Sequence, residues 1–363
     1  MKPRREIGWL CVEPTLPMDA ATASVRKRLG LPVLLAYAQG SPANWLPFMW
    51  KVLRGRFCAV LCQGWSTPAA LGTMLACIAS RTPYLVAFDT HSPLPGGSII
   101  RRVGKALVIR PLLRRASALL PGGSPQARYG ARLVAPRRVP TRVAPLTVDI
   151  DFFRSAGLDM TENARRRLRR SWGASNTDIV ILYVGDLEKW KGIDTLLVAA
   201  DRLSQHRRDV RFVAYGKGSL EIDLVRATQR GLPVYAGGHV DADLIAASYA
   251  AADVFVLPSI RDQWGLVVNE ALAVGLPVVV SDAVGCREDL IEEGETGLSF
   301  PAGDAHALFE RLVRLANDST LREELGTSGS RRIDSWSLSR YAEVVVDSLS
   351  AVCSYVREVP PTR

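Results

Sequence analysis

The 363-residue sequence is poor in metal ligands and in covalent staples, with four histidines and six cysteines. Cys11, Cys58, Cys62, Cys77, Cys286 and Cys353 form no Cys-x-x-Cys pair, and no histidine stands at zinc spacing beside them. Scattered, apolar-flanked cysteines read as buried thiols of a reducing compartment, which argues against cysteine-bound metal. A secretory core is lacking too. After Lys2, Arg4 and Arg5 only residues 7–12 are uncharged before Glu13, too short for a signal peptide. Repeats and low-complexity segments are absent. No Gly-x-Gly-x-x-Gly follows the first strand of either half, which removes the dinucleotide fingerprint. Acid is scarce in one place only. Residues 1–150 hold 21 Lys+Arg against 5 Asp+Glu, a net charge of +16. From totals of 46 and 36, the remainder holds 25 basic and 31 acidic residues, a net −6. That split predicts two domains, the first with a basic surface for an anionic partner.

What is present is an apolar fraction of 48% and 23% charge, enough for large cores and too apolar for disorder. The run 57–80 is 24 residues without a charge. Gln63-Gly64-Trp65-Ser66-Thr67-Pro68 interrupts it, so it reads as a buried strand (57–62), a turn and a buried helix (68–79). Further strands are expected at 7–12, 84–88 and 118–120, then at 179–184, 210–215, 234–236, 254–257 and 277–280. Helical patterns lie between them at 195–204, 219–230, 242–250 and 269–274. Short uncharged runs alternating with helices predict α/β domains with parallel sheets covered on both faces. The extended segment 144–153 joins the halves. The run Arg165-Arg166-Arg167-Leu168-Arg169-Arg170 reads as a solvated linker helix, since no nucleic-acid motif accompanies it.

Ligands of parallel sheets bind beyond the carboxyl ends of strands. The chemically distinctive residues stand there: Asp89-Thr90-His91 after 84–88, Gly185 to Gly192 after 179–184, and Gly216-Lys217-Gly218-Ser219 after 210–215. Pro258 to Gly265 follow 254–257, and Ser281 to Gly285 follow 277–280. Gly265 opens a helix whose free N–H groups suit a phosphate. Asp262 and Glu270 flank that turn, an arrangement suited to a ligand with hydroxyls on both sides of its phosphates, such as a sugar nucleotide.

Asp262-Gln263-Trp264-Gly265-Leu266-Val267-Val268-Asn269-Glu270 with Gly275-Leu276-Pro277 resembles the nucleotide-sugar signature of glycosyltransferase family 4, Glu, seven residues, Glu. Gly185 to Lys191-Gly192, Gly294-Glu295-Thr296-Gly297 and Phe300-Pro301-Ala302-Gly303-Asp304 are similar as well. The likeness is strong over residues 140–345 and weaker before. It implies an α/β, GT-B architecture of two Rossmann-like doubly wound domains facing a central cleft. Residues 1–160 would bind acceptor and 161–337 the nucleotide-sugar donor. Residues 338–363 would form a helix crossing back to the first domain and a frayed tail. The resemblance implies a retaining transferase with no metal and no cofactor beyond its UDP- or GDP-sugar donor. Lys191 would hold the diphosphate, Glu270 the ribose, and Asp262 and His91 the transferred sugar. Gly216, Gly218, Trp264, Gly265, Leu266 and Val267 would border the nucleotide, and Gly64 and Trp65 the acceptor.

Two departures stand out. Asp186 occupies the place of the family's usual diphosphate arginine, with Lys189, Lys217 and Arg261 as possible substitutes. Asp262 replaces the first Glu. The first strand is followed by Glu13-Pro14-Thr15-Leu16-Pro17 in place of a glycine-rich loop. The expected partners are a nucleotide sugar, a glycan or lipid-linked acceptor, and an anionic membrane surface met by the basic half; nucleic acid is not expected. The expected location is cytoplasmic, peripheral at the inner face of the membrane. The competing reading is a non-catalytic sugar-nucleotide-binding or scaffold subunit of a polysaccharide assembly system.

Overall fold

The computed structural model describes residues 6–11, 16–29, 32–37, 44–91 and 99–353. The expected turn at 13–15 and the tail at 360–363 lie outside the described residues, as do the side chains of Arg101, Arg102 and Lys105. The chain divides into two compact units. One takes the residues up to Thr147 together with those from Ser337 onward; the other is Val148–Trp336.

The first unit contains strands β1 (Glu6–Cys11), β2 (Val33–Tyr37), β3 (Phe57–Gln63), β4 (Tyr84–Phe88) and β5 (Ala118–Pro121). They form one parallel sheet in the order β2-β1-β3-β4-β5. Its helices are α1 (Leu16–Leu29), α2 (Leu46–Leu53), α3 (Pro68–Ser80), α4 (Ile99–Arg115) and α5 (Ser124–Val134). The charge-free run resolves into the central strand β3 and the helix α3. Thr67 accepts from Ala70 N at 3.1 Å to cap α3, and Pro68 takes its first turn. One face of the sheet is covered by Phe48 and Val52 of α2, Met74 and Cys77 of α3, and Leu112 and Leu113 of α4. The other face meets Val25 and Leu29 of α1 and Tyr341, Val345 and Leu349 of the last helix, α15 (Leu338–Val352).

The second unit holds β6 (Ile179–Val184), β7 (Val210–Tyr215), β8 (Val234–Gly238), β9 (Val254–Leu257), β10 (Val278–Ser281) and β11 (Leu298–Phe300). All are parallel, in the order β11-β10-β9-β6-β7-β8. Its helices are α6 (Ile150–Leu158), α7 (Glu162–Ser171), α8 (Ile193–His206), α9 (Glu221–Gln229) and α10 (Ala242–Ala251). They continue with α11 (Leu266–Val274), α12 (Arg287–Leu290), α13 (Ala305–Asn317) and α14 (Ser319–Asp334). Each unit is thus a Rossmann-like doubly wound sheet.

The basic run on α7 is not simply solvated. Arg169 is 1% exposed and donates to Asp253 Oδ2 at 2.9 Å and Ala251 O at 3.0 Å. Arg165 reaches Asp253 Oδ1 at 2.8 Å. The chain turns back after α7 into β6, which brings this arginine over the far end of the sheet. Burial of a guanidinium there requires the carboxylate. No helix among the described residues is long and apolar enough to cross a membrane.

Candidate active site

The strand order reverses between β6 and β9. From β6 the chain winds outward to β7 and β8; β9 lies on the other side and leads to β10 and β11. Loops leaving such neighbouring strands separate and open a crevice at the sheet's carboxyl edge. The loop after β6 ends in a short turn of 3-10 helix, Lys189–Lys191. The loop after β9 runs from Pro258 to Gly265. The two are tied together by Ile260 N and Arg261 N, which donate to Trp190 O at 2.9 and 3.2 Å.

That junction places Lys191 Nζ 2.7 Å from Asp262 Oδ2. Lys191 and Asp262 have little side-chain exposure, 13% and 10%, so the pair is only lightly screened. Asp262 also accepts from Ser259 Oγ at 3.3 Å and from Trp264 N at 3.4 Å. Its backbone bonds to Ala283 and Gly285 hold the β9 loop against the β10 loop. The Lys191 ammonium lies 4.6 Å over the Trp190 ring, a cation–π contact that steadies it from a second side.

Gly265 follows with φ +88°, a left-handed conformation at the N-cap of α11. A Cβ there would lie 2.8 Å from Val284 Cγ1. Among the described residues, no side chain caps the first N–H groups of α11, and Leu266 stays 39% exposed. On the next turn, Glu270 Oε2 accepts from Tyr249 Oη at 2.9 Å. Burial pushes the Glu270 carboxyl up to about 7, against a lowering by the tyrosine bond. Burial and the neighbouring Glu270 charge push the Tyr249 phenol well above its ordinary range.

Other expected site residues pack within the loops around this corner. Trp264 is 3% exposed, donates Nε1 to Asn269 Oδ1 at 3.0 Å and stacks on Trp336 with centroids 5.8 Å apart. Its ring shapes the turn from inside. Val267 is partly exposed and offers its carbonyl to Tyr249 Oη at 3.3 Å. A Cβ on Gly216 would lie 1.8 Å from Gly185 O, and one on Gly218 2.3 Å from Leu187 O. Those glycines let the β7 loop lie flat on the β6 loop. Glu188 binds across the same contact, accepting from Ser219 N at 2.8 Å and Ser219 Oγ at 2.6 Å. These bonds hold its carboxyl below the usual range. Asp186 is exposed, and its carbonyl accepts from Tyr183 Oη at 2.7 Å.

His91 and Trp65 belong to the first unit. His91 is partly buried three residues beyond the end of β4. Trp65 is 5% exposed and packs on Phe88 at 4.7 Å, so its ring serves the core of that unit. Gly64, with φ +68°, ends β3 and donates its N–H to Ala87 O at 2.6 Å. Among the described residues, no group of three or more His, Cys, Asp or Glu is placed to hold a metal ion.

Residues 164–332 match the family described as Glycosyl transferases group 1, and this segment contains Lys191, Asp262, Gly265 and Glu270. This segment is similar to that family. The chain is 35% identical to the phosphatidyl-myo-inositol mannosyltransferase of Mycobacterium leprae over 184 residues, 47% of this chain and 48% of that protein. It is 32% identical to the alpha-D-kanosaminyltransferase of Streptomyces kanamyceticus over 173 residues, 47% of this chain and 44% of that one. It is 29% identical over 265 residues to the sulfoquinovosyl transferase SQD2 of Arabidopsis thaliana, 70% of this chain and 49% of that one. The chain thus spans about half the length of the curated relatives it matches. Among solved structures, Anabaena Alr3699/HepE in complex with UDP superposes with a TM-score of 0.76 at 20% identity, covering 96% of this chain and 100% of that one. The E. coli protein described as trehalose-6-phosphate bound with UDP-2-fluoro glucose gives 0.73 at 13% identity, covering 98% and 100%. These likenesses establish the GT-B fold.

The sequence alone gives no sign of the roles of Tyr249, Ser259 and Trp336, or of the Glu188–Ser219 clasp. Tyr249 sits on α10, where an aromatic reads as core. Trp336 lies far along the chain, and nothing in its neighbours points to Trp264.

Proposed function

We propose that this chain is a retaining glycosyltransferase that moves a sugar from a UDP- or GDP-sugar to a hydroxyl of a lipid-linked or cell-envelope glycan precursor. The observation that carries the reading is the meeting of Lys191 and Asp262 at the β6/β9 reversal, one turn of chain from the bare N-terminus of α11. A donor diphosphate supplies the anion this corner lacks. Its oxygens take the Lys191 ammonium and the N–H groups after Gly265, and Glu270 accepts from ribose hydroxyls. Asp262, relieved of Lys191, is then free to accept from hydroxyls of the sugar.

In the reaction the bond between the sugar's anomeric carbon and the diphosphate oxygen breaks, and a bond to the acceptor oxygen forms on the same face. The acceptor's proton passes to the departing diphosphate. Negative charge grows on that leaving group, where Lys191 and the helix end are already in place. The proposal assigns His91 to the donor sugar and requires no metal, so chelator is expected to leave turnover unchanged. The name of the mycobacterial relative supports a lipid acceptor. The charge of +16 over residues 1–150 supports a cytoplasmic protein resting on an anionic membrane face.

A second reading, a non-catalytic donor-binding or scaffold subunit, is favoured by two observations. Asp186 replaces a cation on the diphosphate side, and Asp262 already neutralises Lys191. Release of nucleoside diphosphate from a panel of UDP- and GDP-sugars, with native lipid extract as acceptor, separates the two. Turnover is expected, and Lys191→Ala is expected to lower it by about a hundredfold or more. A donor that binds without ever turning over establishes the scaffold.

A further inference from the structure

Three helices on one face of the first sheet present apolar side chains outward as well as inward. On α2, Phe48 and Val52 face the sheet, while Leu46, Trp50 and Leu53 follow the i, i+4, i+7 spacing of the opposite side. These three are 43%, 56% and 39% exposed. Helix α3 has no charged residue, and its Leu75 is 55% exposed. The two helices abut: a Cβ on Gly72 would lie 3.2 Å from Met49 Sδ. Their outer faces are therefore neighbours. On α4, Leu107 and Val108 are 71% and 51% exposed.

The chain segment that carries this face is strongly cationic. Residues 44–115 contain ten Lys and Arg against a single carboxylate, Asp89. Arg114 is turned inward onto Val134 O at 3.1 Å. Lys51, Arg54 and Arg56 stand on or just after α2, and the Arg54 guanidinium lies 5.1 Å over the Trp50 ring. A protein partner would need a matching acidic face and would meet a rim of long flexible cations. A nucleic acid would use the cations but leave five exposed leucines and valines in water. A bilayer surface uses both. Tryptophan settles at the headgroup level, leucines reach the acyl boundary, and lysine and arginine extend to lipid phosphates.

We propose that the outward face of α2, α3 and α4 is the surface by which this protein seats on an anionic phospholipid bilayer, with Trp50 and Leu53 inserting and Lys51 and Arg54 pairing with headgroups. This rests on the lipid-side reading above and gives it an address in the fold. The contact is interfacial, since no described helix can span a bilayer.

The test is co-sedimentation of the full chain with vesicles of phosphatidylcholine containing about one-third phosphatidylglycerol, beside pure phosphatidylcholine. Binding to the anionic vesicles that weakens with salt is expected. Trp50→Ala with Leu53→Ser, and separately Lys51→Gln with Arg54→Gln, are each expected to lower it about tenfold or more. All four positions are exposed or at the surface, and circular dichroism confirms that both variants fold. The proposal is overturned if wild type ignores lipid charge, or if both variants bind like wild type. It is also overturned if the apolar variant abolishes a self-association seen by ultracentrifugation while no vesicle binding is found. Nucleotide binding, followed by calorimetry, is expected to be unchanged in both variants. Its loss in wild type would instead count against the transferase reading.

Discussion

Lys191 and Asp262 neutralise one another across 2.7 Å, so the corner is closed by its own charges. On the proposed function, a donor would exchange partners there. Glu270 behaves differently. Burial raises its carboxyl from 4.5 to about 7 while Tyr249 Oη holds one oxygen. A folded-state value above the unfolded one means that protonated Glu270 favours the folded protein. That contribution is complete below about 4.5 and is lost as pH rises through about 7. Ribose hydroxyls demand the opposite, a charged acceptor. Nucleotide affinity is therefore expected to tighten as pH rises through about 7, while the thermal midpoint of the free protein falls over the same interval. Glu270→Gln is expected to flatten both trends and to bind nucleotide more weakly. Calorimetric titration and thermal melts across that interval check it; a pH-independent affinity in wild type would contradict the assignment. The sequence made Lys191, Asp262 and Glu270 legible because each stands in or beside a loop leaving a strand. Tyr249 stayed hidden because its role depends on α10 crossing α11, which no local pattern encodes. That Asp262 engages Lys191 directly was equally invisible, since the two lie on loops 71 positions apart.

At the scale of elements, the central strands were readable and two edge strands were not. Strands β3, β4, β6 and β9 are uncharged runs buried on both faces. Strand β2 is half-covered at the edge of its sheet, and β11 has three residues. The three residues of β11 are too few for a distinct apolar run, whereas β2, Val33-Leu34-Leu35-Ala36-Tyr37, is wholly apolar and absent from the expected strands. The same reasoning misjudged α7. Six residues rich in arginine look solvated, yet Arg169 fills a socket formed by Asp253 and three carbonyls, those of Ala251, Ser175 and Asp178. Removing one member of a buried pair leaves the other uncompensated, at about 3–5 kcal/mol. Arg169→Ala is expected to lose stability of that order in urea unfolding, whereas Arg167→Ala, on the exposed side, is expected to change it by less than about 0.5 kcal/mol. Equal effects would mean that the socket contributes nothing.

For the whole molecule, the charge split follows the two units: a basic unit carrying the apolar face and a mildly acidic unit carrying the Lys191–Asp262 corner. The units are also unequal in continuity. Val148–Trp336 is one uninterrupted stretch with its own sheet, whereas the first unit draws Tyr341, Val345 and Leu349 of α15 into its core. A chain of residues 148–336 is accordingly expected to fold cooperatively and to retain weak nucleotide binding through Lys191 and Glu270. A chain ending at residue 336 is expected to show one cooperative transition in place of two. Scanning calorimetry distinguishes these outcomes, and a fragment 148–336 without a transition would refute the autonomy of the second unit.

The place of α15 also sets an order in time. On the ribosome, the second unit has all its residues once Trp336 has emerged, while β1 to β5 still wait for the helix that seals one of their faces. The middle of the polypeptide thus reaches its native form before the beginning does. Through that interval Trp9, Leu61 and Leu85, all fully buried in the finished protein, lack part of their cover. The demand for a holding chaperone should therefore fall on strands β1 to β5, for as long as α15 is missing.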